Sequence, residues 1–179
     1  MKAHPNYRKE KTPGFALREM ITSLVIIIPL ASIAIPTFNY IQKASRENKT
    51  LVLVRLISHG LEDYRRDYGT YPVADGKAGS SGELYIALYG DADGDGYVDN
   101  ETNNYLPSLN PHSAKSKTPT RASNEGYLIT DSWNNEIYYR SPGLINPRDD
   151  FDLWSLGVDA KGGPESNNRN ATSNDICNW

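Results

Sequence analysis

The rhythm of apolar positions changes twice along the chain. Met20 to Phe38 is an almost continuous apolar run of 19 residues. As a helix rising 1.5 Å per residue it would be about 28 Å long, close to the ~30 Å hydrocarbon core of a bilayer. From Thr37 to Tyr68 the run gives way to apolar residues mostly three or four apart: Ile41, Ala44, Leu51, Val54, Ile57, Leu61, Tyr64 and Tyr68. That spacing is one stripe of an amphipathic helix. The two stretches predict a single long helix, bent at Pro29 and Pro36, whose stripe from Leu51 onward is the spine of a domain. Asp67-Tyr68-Gly69-Thr70-Tyr71-Pro72 stops it, with glycine at a C-cap position and proline soon after.

Beyond the helix the pattern shortens. Residues 73–82 are rich in Gly and Ser and read as a loop, and Glu83–Tyr89 reads as a helical turn over the core. Residues 90–125 form a 36-residue excursion with Pro107, Pro111 and Pro119 and many Asn, Ser and Thr. A loop of that length is usually functional or poorly ordered. Three short β-like segments follow: Gly126–Thr130, Glu136–Arg140 and Phe151–Leu156. Asn134-Asn135 between the first two suits a tight hairpin turn. The expected class is α+β: a long N-terminal helix packed on a small antiparallel sheet.

Charge gives this layout a direction. Residues 1–13 carry four Lys/Arg against Glu10 alone, whereas residues 20–179 carry 14 Lys/Arg against 20 Asp/Glu. A basic leader holds the N-terminus on the cytoplasmic side and leaves the acidic body outside. No basic patch is interleaved with aromatics, which argues against a nucleic-acid partner. The single cysteine, Cys177, excludes an intrachain disulfide, so packing or metal must staple the domain. His4, His59 and His112 are scattered and, with one Cys, build no zinc site. There is no G-x-S-x-G elbow, P-loop or zincin helix, and no enzyme is expected.

The mouth of the apolar run carries Arg18-Glu19. A carboxylate at bilayer depth costs about 2.5–3.5 kcal/mol, so Glu19 asks for a cationic partner. Three readings compete here: a buried core helix, a secretory signal cleaved after Ser32-Ile33-Ala34, and a membrane-anchored helix that continues into a domain. Gly14-Phe15-Ala16-Leu17-Arg18-Glu19 resembles the class III signal of type IV pilins and type II secretion pseudopilins. The resemblance implies cleavage after Gly14, N-methylation of Phe15 and a glutamate fifth from the cut, which Glu19 supplies. Pro36 falls where that family commonly places a helix-loosening proline. Ala16, Arg18 and Pro29 depart from the pattern.

The last third is similar to the major pseudopilins in several separate motifs. Asp131-Ser132-Trp133-Asn134-Asn135-Glu136-Ile137-Tyr138-Tyr139 resembles D-P-W-G-N-x-Y-x-Y, and Ser141-Pro142-Gly143 follows as in the family. Phe151-Asp152-Leu153-Trp154-Ser155-Leu156-Gly157-Val158-Asp159 resembles the D-x-F/W-S-L-G-x-D strand and loop. Asn174-Asp175-Ile176-Cys177-Asn178-Trp179 resembles the D-D-I-x-N-W ending. The resemblance implies calcium in the loop after S-L-G-x-D, with Asp159, Asp175, the amide of Asn174 and the carbonyl of Leu156 as ligands. The intervening insert, Ala160–Ser173, is longer than the family's. Calcium, a hard cation wanting six to eight oxygens, suits such donors.

A second acidic run rests on spacing alone. Asp91-Ala92-Asp93-Gly94-Asp95-Gly96-Tyr97-Val98-Asp99 reads as D-x-D-x-D-G, the first half of an EF-hand loop. Asp91, Asp93 and Asp95 take positions one, three and five, Tyr97 offers a carbonyl and Asp99 takes position nine. Position twelve is Thr102, with Glu101 one place early, so calcium there would need water to complete its shell.

The resemblance as a whole implies a pilin-like subunit. Residues 1–14 would be the leader, 15–38 the transmembrane and assembly helix, and 39–179 a periplasmic domain with 90–125 as an inserted loop. Its partners would be further copies of itself in a helical filament, other pseudopilins, the inner-membrane secretion platform and the prepilin peptidase. Glu19 would pair with the N-terminal ammonium of a neighbouring Phe15. The alternatives are a type IV pilin subunit for adhesion or DNA uptake, a secreted calcium-binding domain and a membrane-anchored hydrolase.

Overall fold

The computed structural model describes residues 17–99, 104–113, 119–145, 150–161 and 175–179. Within its first helix the side chains of Ile33, Ala34, Pro36 and Thr37 also lie outside the description. The chain divides into two units, residues 1–42 and 43–179.

Helix α1 spans Leu17–Tyr68, 52 residues, and belongs to both units. In the first unit the helix is apolar all round: Met20, Ile21, Leu24, Val25, Ile26, Ile27, Ile28 and Leu30 are each 46–65% exposed. In the second unit an amphipathic stripe takes over, and Thr50, Leu53, Val54, Ile57, Gly60 and Leu61 are buried. Val54, Ile57 and Leu61 were expected there. Tyr64, also expected, is half-buried against the core, whereas Ile41 and Tyr68 are exposed and Leu51 is half-buried, because the fully buried part of α1 runs from Thr50 to Leu61. Each fully buried Leu or Ile contributes about 1.5–3 kcal/mol. The helix ends as its sequence requires. Gly69 adopts φ 76° and its N–H donates to the Arg65 carbonyl at 2.7 Å, a left-handed cap that a side chain would strain. Tyr71 then folds the chain back on α1, its hydroxyl donating to Glu62 at 2.6 Å and accepting from Arg65 at 2.8 Å.

Helix α2, Ser80–Tyr89, starts three residues before the expected turn and buries Leu84, Tyr85, Leu88 and Tyr89. Its own N-cap residue, Gly79, has no side chain to satisfy the first N–H groups. Glu136 does so from 57 positions away: one carboxylate oxygen accepts from Gly79 N–H at 2.9 Å, Ser81 N–H at 3.2 Å and the Ser81 hydroxyl at 2.9 Å. The negative charge sits at the positive end of the helix, where the peptide dipoles favour it. Gly90, at φ 82°, closes the C-terminal end on Ile86.

The second unit carries two antiparallel sheets. Strands β1 (Ala74–Asp75), β4 (Ile137–Ser141), β5 (Asp152–Ser155) and β6 (Ile176–Cys177) lie in that spatial order. Strands β2 (Thr120–Ser123) and β3 (Gly126–Ile129) form a separate hairpin, Ser123 opposite Gly126. The three predicted strands are therefore present as β3, β4 and β5, and β4 pairs with β5 from Ile137 opposite Ser155 to Arg140 opposite Asp152. The expected β3–β4 hairpin is not formed. Only Thr130 and Glu136 bridge across Asn134-Asn135, because β4 is flanked on both edges by β1 and β5. β3 takes its partner instead from inside the expected 90–125 loop. The core joins α1 to Leu84, Tyr85, Leu88, Leu109, Ile129, Ile137, Tyr139, Phe151 and Leu153.

Glu136→Gln keeps an acceptor but removes the charge at the α2 N-terminus. The expected loss is about 1–2 kcal/mol, read as a lower urea midpoint at unchanged slope. An unchanged midpoint would show that water caps α2 equally well.

Candidate functional site

Two loops hold the residues singled out for ion binding. The first follows α2. Asp91 is fully buried, and all of its oxygen lone pairs face donors. Oδ1 accepts from Gly94 N–H at 2.8 Å and Asp95 N–H at 3.1 Å; Oδ2 accepts from Gly96 N–H at 2.8 Å and the Tyr85 hydroxyl at 2.9 Å. Burial, and then the carboxylate of Asp91, pushes the Tyr85 phenol well above its ordinary value. Asp91, Asp93 and Asp99 each bring an oxygen within 4.8 Å of the others, a grouping able to hold a cation. Asp95, expected in this set, is not in the group; its Oδ1 accepts from Tyr97 N–H at 2.8 Å. The ring of Tyr97 stacks on His112, centroids 4.7 Å apart, and His112 packs so closely that a Cβ on Gly96 would collide with its Nε2. Asp93 is exposed, and its carboxyl is held above its usual range. The Asp95 N–H pulls it down, but partial desolvation, the charges of Asp95 and Asp99 and a hydrogen bond with Asp91 outweigh that. Glu101 and Thr102 lie outside the described residues.

The geometry thus divides roles that spacing had given alike to four carboxylates. Asp91 is first an organiser of its own backbone, and a cation reaching it must displace a donor. Asp93 and Asp99 are exposed and mutually repelling, the condition a bound cation relieves.

The second loop lies at one end of β5–β6. Ser155 faces Ile176 in register. The next residues outward are therefore Leu156 and Asp175, and the 3-10 turn Gly157–Asp159 brings Asp159 to the same end. Leu156, Asp159 and Asp175, three of the four expected ligands, follow or face this end of the strand pair in register; Asn174 lies outside the described residues. Both aspartates are solvent-accessible, and Asp159 Oδ1 accepts from Lys161 N–H at 3.2 Å. Carboxylates and a main-chain carbonyl at one loop mouth are the donor set a hard cation takes.

The third feature is the start of α1. Glu19 lies in its first turn, and its main-chain carbonyl accepts from Thr22 Oγ1 at 2.9 Å and Ser23 Oγ at 2.8 Å. Gly14 and Phe15 lie outside the described residues. Among the described residues no helix is long and apolar enough to cross a membrane, the expected 15–38 span included as far as it is described.

Comparison with known proteins gives a consistent answer. Residues 98–179 match the family model described as "Type II secretion system (T2SS), protein G". Type II secretion system core protein G of Pseudomonas aeruginosa is 28% identical over 96% of this chain and 98% of its own length. Its namesakes from Vibrio cholerae and Escherichia coli are each 25% identical, over 96% and 95% of this chain and 94% and 92% of their own. This chain is similar to type II secretion core protein G over nearly its whole length. The crystal structure of the major pseudopilin from the type 2 secretion system of enterohaemorrhagic Escherichia coli is similar at a TM-score of 0.41 and 18% identity, covering 77% of this chain and 86% of that one. The family match begins at residue 98, so Asp91, Asp93 and Asp95 precede it and the Leu156–Asp175 loop falls inside it.

Sequence reasoning passed over the buried carboxylates of Glu136 and Asp152. Asp152 Oδ2 accepts from Arg140 Nε at 3.0 Å and Leu144 N–H at 2.8 Å, and its Oδ1 from Ile145 N–H at 3.1 Å. The signal was an acid inside an otherwise apolar strand, which is costly unless donors surround it. Asp91→Asn removes half of that residue's acceptor capacity. In excess chelator it is expected to lose about 2–3 kcal/mol of stability by urea denaturation, whereas Asp93→Asn stays within about 0.5 kcal/mol of wild type. Equal effects of the two substitutions would remove the structural role given to Asp91.

Proposed function

We propose that this protein is a structural subunit of the periplasmic pseudopilus in type II secretion. One observation carries the reading. An apolar α1 segment with exposed side chains on every face is continuous with a helix that buries its stripe in a domain only from Thr50. An exposed apolar surface of that extent requires lipid or other helices around it. The subunit is made as a prepilin, cut after Gly14 by the prepilin peptidase and N-methylated at Phe15. Residues 15–38 then hold it in the inner membrane with its domain in the periplasm. Copies pass from lipid into a filament by stacking these helices, alongside other pseudopilins and the inner-membrane platform.

In that assembly Glu19 pairs with the N-terminal ammonium of Phe15 in an adjoining copy. Removing one partner of a pair in an apolar medium leaves the other charge uncompensated, at about 3–5 kcal/mol, so the pairing favours one axial register. Calcium is the proposed resident ion. The Leu156, Asp159 and Asp175 donors, with Asn174, would hold it at the end of β5–β6, and Asp93 and Asp99 beside Asp91 would hold a second. The ion supplies positive charge that neutralises clustered carboxylates and cross-links a domain that has one cysteine. The role is structural throughout, and the chain is a substrate of processing rather than a catalyst.

Glu19→Val tests the assembly role. The variant is expected to be processed normally and to reach the membrane, yet to give no filaments by electron microscopy and no secretion of the system's exoproteins. Filaments of normal abundance from Glu19→Val would overturn the ion-pair role.

A further inference from the structure

The peptide of Gly157 is held at both ends by side chains. Its N–H donates to Ser155 Oγ at 3.1 Å, and its carbonyl accepts from Asn135 Nδ2 at 2.7 Å. Ser155 Oγ donates to Asp131 Oδ2 at 2.6 Å, and Asp131 Oδ1 accepts the Asn135 N–H at 2.8 Å. The four residues close a ring: Asp131, Ser155, Gly157, Asn135 and back to Asp131. Asp131, Ser155 and Gly157 are buried, so little water competes for these bonds. The ring is tied to α1 as well, since Ser132 N–H donates to Thr50 Oγ1 at 3.2 Å and that hydroxyl donates to Ser132 Oγ at 3.1 Å. Immediately beyond the ring the chain emerges, with Val158, Asp159 and Ala160 all exposed.

Gly157 takes φ 65°, so the direction in which the chain leaves β5 is set at a residue with wide conformational freedom. Two bonds hold that direction, one to Ser155 two residues back and one from Asn135 in the β3–β4 turn. Leu156 precedes this peptide and Asp159 follows it by two residues, and both stand at the Asp175 end of β5–β6.

We infer that Asn135 is a positioning residue for the C-terminal calcium loop, acting through the Gly157 peptide, with Asp131 and Ser155 holding the other side of the ring. The inference rests on the proposed calcium site at Asp159 and Asp175. It assigns a task to the turn between β3 and β4, more than 20 residues from the nearest ligand in sequence. Outer partners that orient metal ligands typically change affinity by about 10–100-fold when removed. It also places the ion loop and α1 on one continuous set of hydrogen bonds, through Thr50 and Ser132.

The test is calorimetric titration of calcium chloride into the purified full chain in detergent micelles. The background is Asp93→Asn with Asp99→Asn, so that only the C-terminal loop is read. Asp159→Ala is expected to abolish binding, and Asn135→Ala to weaken it by about tenfold or more while the melting temperature in chelator falls only slightly. Should the alanine variant fail to fold, Asn135→Asp keeps the size and the backbone bond to Asp131 but turns an acceptor toward the Gly157 carbonyl; the same loss is expected. Calcium affinity unchanged in Asn135→Ala or Asn135→Asp, with Asp159→Ala abolishing it, would overturn the positioning role and leave the calcium site standing. Binding that survives Asp159→Ala would overturn the calcium site itself and the positioning role with it.

Discussion

Buried carboxylates, each surrounded by N–H and O–H donors, hold the loops of this domain where its single cysteine cannot. Asp91, Asp131, Glu136 and Asp152 are buried, and an unpaired carboxylate in such a place would shift its pKa or unfold its surroundings. Glu136 and Asp131 collect donors from segments distant in sequence, Asp152 and Asp91 from nearer ones. Glu136 joins β4 to the start of α2, Asp131 joins the β3–β4 turn to β5, and Asp152 joins β5 to Arg140 and to residues 144–145. Asp91 ties the acidic loop to Tyr85 on α2. Charge-assisted hydrogen bonds are roughly twice as strong as neutral ones. A domain whose ends and turns are irregular can therefore keep a single arrangement without covalent cross-links.

That scaffold covers α1 along only part of its length. α1 needs a domain only along Thr50–Leu61, where its stripe meets the core formed by α2 and the sheets. N-terminal to this the helix leaves its apolar side chains from Met20 to Leu30 exposed. The second unit is compact by itself, with a core of its own.

Much of this was legible from pattern. The 3–4 spacing of Val54, Ile57 and Leu61 placed the spine, and Gly69 and Pro72 marked its end, because helix periodicity and capping are local physics. Strands β4 and β5 were legible for the same reason. Partner choice was not: β3 pairs with Thr120–Ser123, a polar and mostly exposed segment with no strand signature. β1 and β6, two residues each, fall below any periodicity. The site was read with the opposite bias. Asp159, Asp175 and Leu156 were singled out because family motifs carry them. Asp91, by contrast, was taken chiefly for a ligand when its geometry makes it a hub for backbone donors. Asn135 and Ser155 stood inside recognisable motifs, but their shared work on Gly157 joins positions 22 and two residues away from it, a closure visible only in three dimensions.

The central claim is a lipid-held filament subunit whose amine end is created by cleavage. Intact mass and N-terminal sequencing of the protein extracted from native membranes test it most directly. The account predicts a chain beginning at Phe15, heavier by one methyl group than the plain cleaved polypeptide. A soluble chain beginning at Ile35 would contradict it.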